Sequence, residues 1–115
     1  MLAAAEDVDA PPDRRERARE TRSRLPELLV HAVRAGVPVL AGTDVVGSIP
    51  EEVALLAEMG LDPAQALAAA SAWPRRFINP QDERADIVTY HHDPRDDPSE
   101  LRRPAAVVIA GRRLR

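Results

Sequence analysis

The sequence predicts an α/β fold in which one buried parallel strand is followed by an antiparallel tail, an arrangement that does not close into a domain by itself, and three observations support this. The chain has 115 residues, the size of one ordinary domain with one core. Apolar residues recur at helical spacing in the first third, whereas residues 37–41 form a continuous apolar run typical of a buried parallel strand. Residues 85–90 and 105–109 then have the pattern of antiparallel strands. The expected order is helix, buried strand, two helices and a β tail.

The first helical segment is highly charged. Residues 1–12 are rich in Ala and Asp, and we expect them to form a flexible lead-in. Asp13 and Glu16 have the spacing of a capping box at a helix start. Residues 14–24 are mainly Arg, Glu and Ala, which predicts a solvent-exposed helix with Arg–Glu pairs. The alternative is an RNA- or phosphate-binding stripe, and the interspersed glutamates argue against it.

An apolar stripe and a glycine define the next helical segment. Pro26 begins or kinks this segment, and Gly36 ends it. The stripe consists of Leu25, Leu28, Leu29, Ala32 and Val33. The apolar run 37–41 follows and leads into Gly42-Thr43-Asp44. This places the Asp44 carboxylate at the C-terminal end of a predicted parallel strand, where α/β sheets hold ligands and catalytic groups.

Two further helices and a hairpin complete the prediction. Ser48 with Glu51, and Asp62 with Gln65, each have the spacing of a helix start, and the first of these two helices is expected to end at Gly60. Residues 110–113 are expected to turn the chain from the last long strand into a short final one.

Composition excludes several classes of function. The chain has no cysteine, so thiolate metal sites, disulfides and cysteine nucleophiles are excluded. All 16 basic residues are arginine, which leaves no lysine for a Schiff base or a metal-bridging carbamate. The net charge of -3 gives no general attraction for nucleic acid or anionic membranes. We also expect no membrane span and a cytoplasmic location, because the apolar runs are short and no secretory signal is evident.

The three histidines are weak candidates for a metal site. His31 lies beside the apolar stripe and is expected to be a boundary residue. His91 and His92 are adjacent at a strand end, so their side chains should point to opposite faces. Asp44 is the better candidate, although a capping role after the strand is the alternative interpretation.

Several sequence blocks resemble those of one enzyme family. Residues 36–44, with the sequence GVPVLAGTD, resemble the last barrel strand of the metal-dependent amidohydrolase superfamily, in particular its imidazolonepropionase-like and prolidase-like branch. Residues 60–74 are similar to the family's G-L-T-P-x-E-A-L-x-A-A-T-x-x-P helix. Residues 85–88, Asp93-Pro94 and residues 107–111 look like its A-D-I-V strand, D-P turn and closing V-x-x-G hairpin.

The resemblance implies a fold, a reaction and a role for Asp44. The implied fold is the C-terminal part of a TIM (β/α)8 barrel over residues 13–83, with its last strand at 37–44, followed by strands of a small terminal β-sandwich over residues 84–115. The implied activity is hydrolysis of carbon–nitrogen bonds in small amide, lactam or dipeptide substrates. The resemblance also implies a divalent metal cofactor, and zinc is the metal expected. Asp44 would be both metal ligand and catalytic base.

The chain lacks most of the family's other metal ligands. It has no counterpart of the H-x-H motif, of the bridging Lys or acidic residue, or of the later barrel histidines. The leading hypothesis is therefore an incomplete, inactive piece of such an enzyme that associates with itself or with the missing barrel half. The alternative is a non-enzymatic α/β interaction module or subunit derived from that fold.

Overall fold

A computed structural model describes residues 11–43 and 46–115 as a small α/β domain. Its helices are α1 Pro12–Arg34, α2 Ile49–Glu58, α3 Pro63–Ala69, α4 Ala72–Ile78 and a 3-10 helix Pro98–Arg102. Its strands are β1 Ile87–Thr89, β2 Ala106–Ile109 and β3 Arg112–Arg113. A flexible lead-in was predicted for residues 1–12. Residues 1–10 of this lead-in lie outside the described residues, and Pro12 already begins α1.

Helix α1 is longer than the sequence predicted. It begins at Pro12 with Pro11 as its N-cap, and no side chain caps it, so the predicted capping box of Asp13 and Glu16 is wrong. Proline is favoured at the first helical position because its missing N–H needs no partner there. Pro26 lies inside the helix rather than at a start, where it removes one backbone hydrogen bond.

The core lies where α2 and α3 meet. Its buried residues are Val53, Leu56, Leu61, Ala66 and Ala69. Half-buried apolar side chains from α1, α4, the 3-10 helix and the segment before Asp44 pack around it, including Leu29, Val33, Val39, Ala41, Trp73 and Leu101. Ala66 and Ala69 are fully buried on α3, and their small side chains leave room for neighbouring backbone to approach closely.

Two glycines end α1 and α2 in the same way. The Gly60 N–H donates to the Ala57 carbonyl and the Leu61 N–H to the Leu56 carbonyl. Gly60 has a positive φ of 107°, so this is a Schellman turn, in which a glycine without a Cβ is favoured. Gly36 closes α1 by the equivalent pair of bonds and also has a positive φ. Both helix ends confirm the sequence prediction.

The helix start at Asp62 is also confirmed. Its carboxylate accepts from the Gln65 N–H at 2.9 Å, and the Gln65 side chain accepts from the Asp62 N–H at 3.2 Å. These reciprocal bonds satisfy two N–H groups that the helix itself leaves without partners.

The sheet is entirely antiparallel, in the order β1-β2-β3. Ile87 pairs with Val108 and Thr89 with Ala106, while Ile109 pairs with Arg112. Strands within 85–90 and 105–109, and the short final strand, are therefore confirmed.

The predicted barrel fold is wrong. Residues 37–43 contain no strand, and the described residues hold no parallel pairing and only one sheet, so neither a barrel portion nor a sandwich is present in them. Val39 and Ala41 instead pack on the helical core, and the Ala41 N–H donates to the Ala69 carbonyl of α3 at 2.9 Å. The apolar run is explained by contact with helices rather than by burial between strands.

Candidate functional site

Asp44, the predicted metal ligand and catalytic base, lies outside the described residues. The chain on either side of it is described. Val39 and Ala41 anchor the preceding segment to the core, while Leu40 between them is 39% exposed. The N–H groups of Val39 and Leu40 donate to no backbone carbonyl within the described part of the chain. Within residues 11–43, the Ala41 N–H is therefore the last backbone donor before Asp44 that is bonded to another part of the described chain.

Apolar side chains flank Asp44 on both sides and are open to solvent. Leu40 precedes it, and Val46 and Ile49 follow it, with Val46 87% exposed and Ile49 41% exposed. We call Leu40, Val46 and Ile49 the open flank. Single exposed apolar residues are common on protein surfaces, and the open flank brings three of them into residues 40–49 of the sequence.

A polar network fixes the start of α2, whose first residue, Ile49, belongs to the open flank. The Ser48 hydroxyl donates to Glu51 Oε2 at 2.8 Å and accepts from Arg102 Nη2 at 2.8 Å. Arg102 Nη2 also lies 3.2 Å from Glu51 Oε1. The Ser48 hydrogen bond, with the nearby Arg102 charge, lowers the pKa of Glu51 below its usual value. Glu51 is thus held ionised as a structural partner and is not poised as a general acid.

The histidines lie apart from the open flank along the chain. His31 is exposed, and its Nδ1 lies 2.9 Å from the Glu27 carbonyl one turn earlier in α1. His91 and His92 are exposed directly after β1 and its following residue Tyr90. Within residues 11–43 and 46–115, no group of three or more His, Asp or Glu side chains is arranged to hold a metal ion.

An apolar cleft that the sequence analysis missed lies beside α4. Its volume is about 400 Å³, and its lining consists of Val33, Gly36, Val37, Pro38, Trp73, Arg76 and Phe77. We call it the Trp73 cleft. Trp73 and Phe77 are four residues apart on α4, a spacing visible in the sequence. Their juxtaposition with Val37 and Pro38 depends on the fold and had no local signal.

A second cleft separates the helices from the sheet. It has a volume of about 530 Å³ and is lined by Leu67, Ser71, Ala72, Arg75, Asp86, Val88, Tyr90 and Pro94. Burial raises the pKa of the Tyr90 hydroxyl above its usual value, so it is a neutral group at physiological pH. The Ser71 hydroxyl already donates to the Leu67 carbonyl at 2.7 Å.

Arg75 joins α4 to the chain that enters β1. Its guanidinium donates to the carbonyls of Arg84 and Asp86, and its Nε lies 3.6 Å from Asp82. Asp82 is further held by Arg84, whose hydrogen bonds keep the Asp82 pKa well below its usual value. The Asp86 side chain accepts in turn from the Ala110 N–H at 2.7 Å, in the turn between β2 and β3. These groups form a structural connection between the helices and the sheet.

No helix in the described residues is long and apolar enough to cross a bilayer.

The chain is similar to three curated proteins of mycobacteria. One is from Mycobacterium bovis and two are from strains of Mycobacterium tuberculosis, and each is called an uncharacterized protein. Each is 41% identical over 90 residues, covering 70% of this chain and 24% of the relative. The chain therefore spans about a quarter of the length of these relatives. No family model matches the chain, and neither does any solved structure.

Proposed function

We propose that this chain is a complementing segment of an amidohydrolase-related C–N hydrolase. In this proposal a larger polypeptide covers the open flank and supplies the metal ligands that act together with Asp44. The observation that carries it is the exposed apolar surface of Leu40, Val46 and Ile49 on both sides of Asp44. Because these residues flank Asp44 in the sequence, the proposal is that the covering polypeptide also reaches Asp44.

The open flank is large enough to contribute to association. The exposed portions of its three side chains together equal between one and two whole aliphatic side chains. Burying that much apolar surface contributes about 2–5 kcal/mol. This is less than a stable complex needs, because association has a large entropic cost, so further contacts must join it. The length of the mycobacterial relatives supports the idea, since three quarters of each lies beyond the matched segment.

The proposed chemistry gives a role to one residue of this chain, Asp44. A catalytic zinc site takes about three protein ligands, and Asp44 supplies one carboxylate. A divalent ion at such a site lowers the pKa of a bound water toward neutrality. Asp44 would accept a proton from the attacking water and return it to the departing nitrogen of a small amide or lactam. These assignments rest on the sequence resemblance of residues 36–44, and the described residues by themselves form no metal-binding group.

The test is a hybrid protein. This chain replaces the matched segment of a Mycobacterium tuberculosis relative, and bound zinc and hydrolysis of N-acyl amino acids and lactams are then measured. We expect the hybrid to retain metal and to turn over substrate, whereas Asp44→Asn lowers turnover by roughly 10²–10⁴-fold. The matched control is Asp96→Asn, because Asp96 is an exposed aspartate far from Asp44 in the sequence and outside the block of resemblance at residues 36–44, and it should leave turnover unchanged.

The isolated chain provides the complementary test. It should bind no stoichiometric metal after chelation and reconstitution, and it should not hydrolyse these substrates above background. One ion bound per chain at micromolar affinity would refute the need for a complementing polypeptide. Turnover by the hybrid that survives Asp44→Asn would refute the role of Asp44. A folded hybrid without metal or activity would favour the alternative of a non-enzymatic interaction module.

A further inference from the structure

The Trp73 cleft has the size and the lining of a small-molecule site. Its volume of about 400 Å³ lies within the usual range of ligand pockets. Three parts of the chain form it, namely the end of α1, residues 36–38 and α4. The first two parts are contiguous, but α4 is distant from them in sequence, so the concavity is a product of the packed fold rather than of one local turn.

The walls of the cleft are apolar and accessible. Phe77 is 62% exposed and Val37 is 53% exposed, although both are large apolar side chains. Trp73 is half-buried, and it also contacts the hydrophobic core. A ligand that covers Phe77 and Val37 would gain the transfer of its own apolar surface and of theirs out of water.

One cation stands among these apolar walls. Among the described residues, Arg76 is the only charged residue that lines the cleft, and it is exposed. Across the described residues its guanidinium has no recorded hydrogen bond or ion pair, in contrast to Arg75 beside it, which is bound to Asp82 and two carbonyls. A planar guanidinium presents paired N–H donors that match the two oxygens of a carboxylate.

We propose that the Trp73 cleft binds a small apolar carboxylate, with the hydrocarbon portion against Trp73, Phe77 and Val37 and the carboxylate on Arg76. A multiply charged anion does not fit, because one cation among apolar walls would leave its remaining charge without partners. An amine is disfavoured by the like charge of Arg76. The site is independent of Asp44 and of the proposed hydrolase function.

The test uses Trp73 as its own reporter, because it is the only tryptophan in the chain. Octanoate, hexanoate, octanol and octylamine are titrated into the full chain while tryptophan fluorescence is followed. We expect saturable binding of octanoate, about tenfold tighter than octanol, since a hydrogen bond to a charged group contributes on that scale. Each methylene removed from the acid should weaken binding about fourfold. Octylamine should bind more weakly than octanol.

Three variants separate the two halves of the ligand. Arg76→Gln should weaken octanoate binding about tenfold and leave octanol binding unchanged. Phe77→Ala should weaken the binding of both octanoate and octanol. Because Phe77 is largely exposed, the circular dichroism spectrum of this variant should remain that of the parent protein. Arg112→Gln is the matched control, since Arg112 is an exposed arginine on β3 outside the cleft, and it should change neither affinity.

The proposal is overturned if octanol binds as tightly as octanoate, or if Arg76→Gln and Arg112→Gln have equal effects. Absence of a saturable change in fluorescence or in isothermal calorimetry with millimolar octanoate also overturns it. Tighter binding of an apolar peptide ending in glutamate than of octanoate would also overturn it, because the ligand of the cleft would then be a polypeptide and not a small acid.

Discussion

Replacing Gly60 by alanine should destabilise the fold more than the same replacement at Gly36. Both glycines end a helix in a Schellman turn, and both have positive φ, 107° at Gly60 and 78° at Gly36. They differ in what surrounds the added methyl group. A Cβ at Gly60 would lie 3.1 Å from Cγ2 of Val30, whereas a Cβ at Gly36 would have no neighbour within 4 Å.

The expected magnitudes follow from these surroundings. A left-handed conformation costs a non-glycine residue about 1–2 kcal/mol, partly offset by the smaller conformational freedom of alanine in the unfolded chain. Gly36→Ala should therefore lower the free energy of unfolding by about 1 kcal/mol. Overcrowding adds about 1 kcal/mol or more, which brings Gly60→Ala to about 2 kcal/mol.

Urea unfolding, followed by circular dichroism and by Trp73 fluorescence, measures both losses. Val30→Ala removes the crowded methyl group, so the double variant Val30→Ala/Gly60→Ala should lose about 1 kcal/mol less than the sum of the single variants. The reasoning fails if the two glycine variants lose equal stability, or if the double-mutant cycle shows no coupling between positions 30 and 60.

Three further changes test other parts of the structure. Leu61→Ala should lower the free energy of unfolding by about 2–5 kcal/mol in the same urea assay, because Leu61 is 4% exposed in the core; a loss below about 1 kcal/mol would contradict that packing. Arg75→Gln removes donors from the carbonyls of Arg84 and Asp86, so hydrogen exchange should accelerate in the sheet more than in α2 and α3, and uniform acceleration would contradict this. Asp82→Asn tests a pH dependence: the Asp82 pKa is lowered from 3.8, so its stabilisation is present above about pH 4 and is lost as the pH falls below that value. In thermal melts the stability difference between parent and Asp82→Asn should therefore shrink between about pH 4 and pH 2, and a difference that stays constant would refute the assignment.

Local signals predicted much of the secondary structure. The Asp62 and Gln65 spacing indicated a capping box, and both of its hydrogen bonds are present. Gly36 and Gly60 indicated helix ends because the required backbone conformation favours glycine wherever it occurs. The same type of signal failed at Asp13, because Pro12 begins the helix one position earlier.

Non-local features were not predictable in this way. The apolar pattern of residues 37–41 predicted a buried strand, but only Val39 and Ala41 of this run contact the core. A pattern of apolar residues carries no information on which group accepts a backbone N–H. Ala41 donates to a helix carbonyl instead of to a neighbouring strand. The Trp73 cleft was missed for a similar reason, since Trp73 and Val37 are brought together only by tertiary packing.

The Ala41 N–H donates to the Ala69 carbonyl of α3, so any second acceptor for this N–H has to compete with Ala69. Ala69 is the last residue of α3, and its carbonyl has no partner within the helix. An acceptor on another polypeptide that took the Ala41 N–H would therefore leave the Ala69 carbonyl without this donor and favour fraying of the last turn of α3. A change in the hydrogen bonding of Ala41 would in this way reach Ala69, which is fully buried in the core.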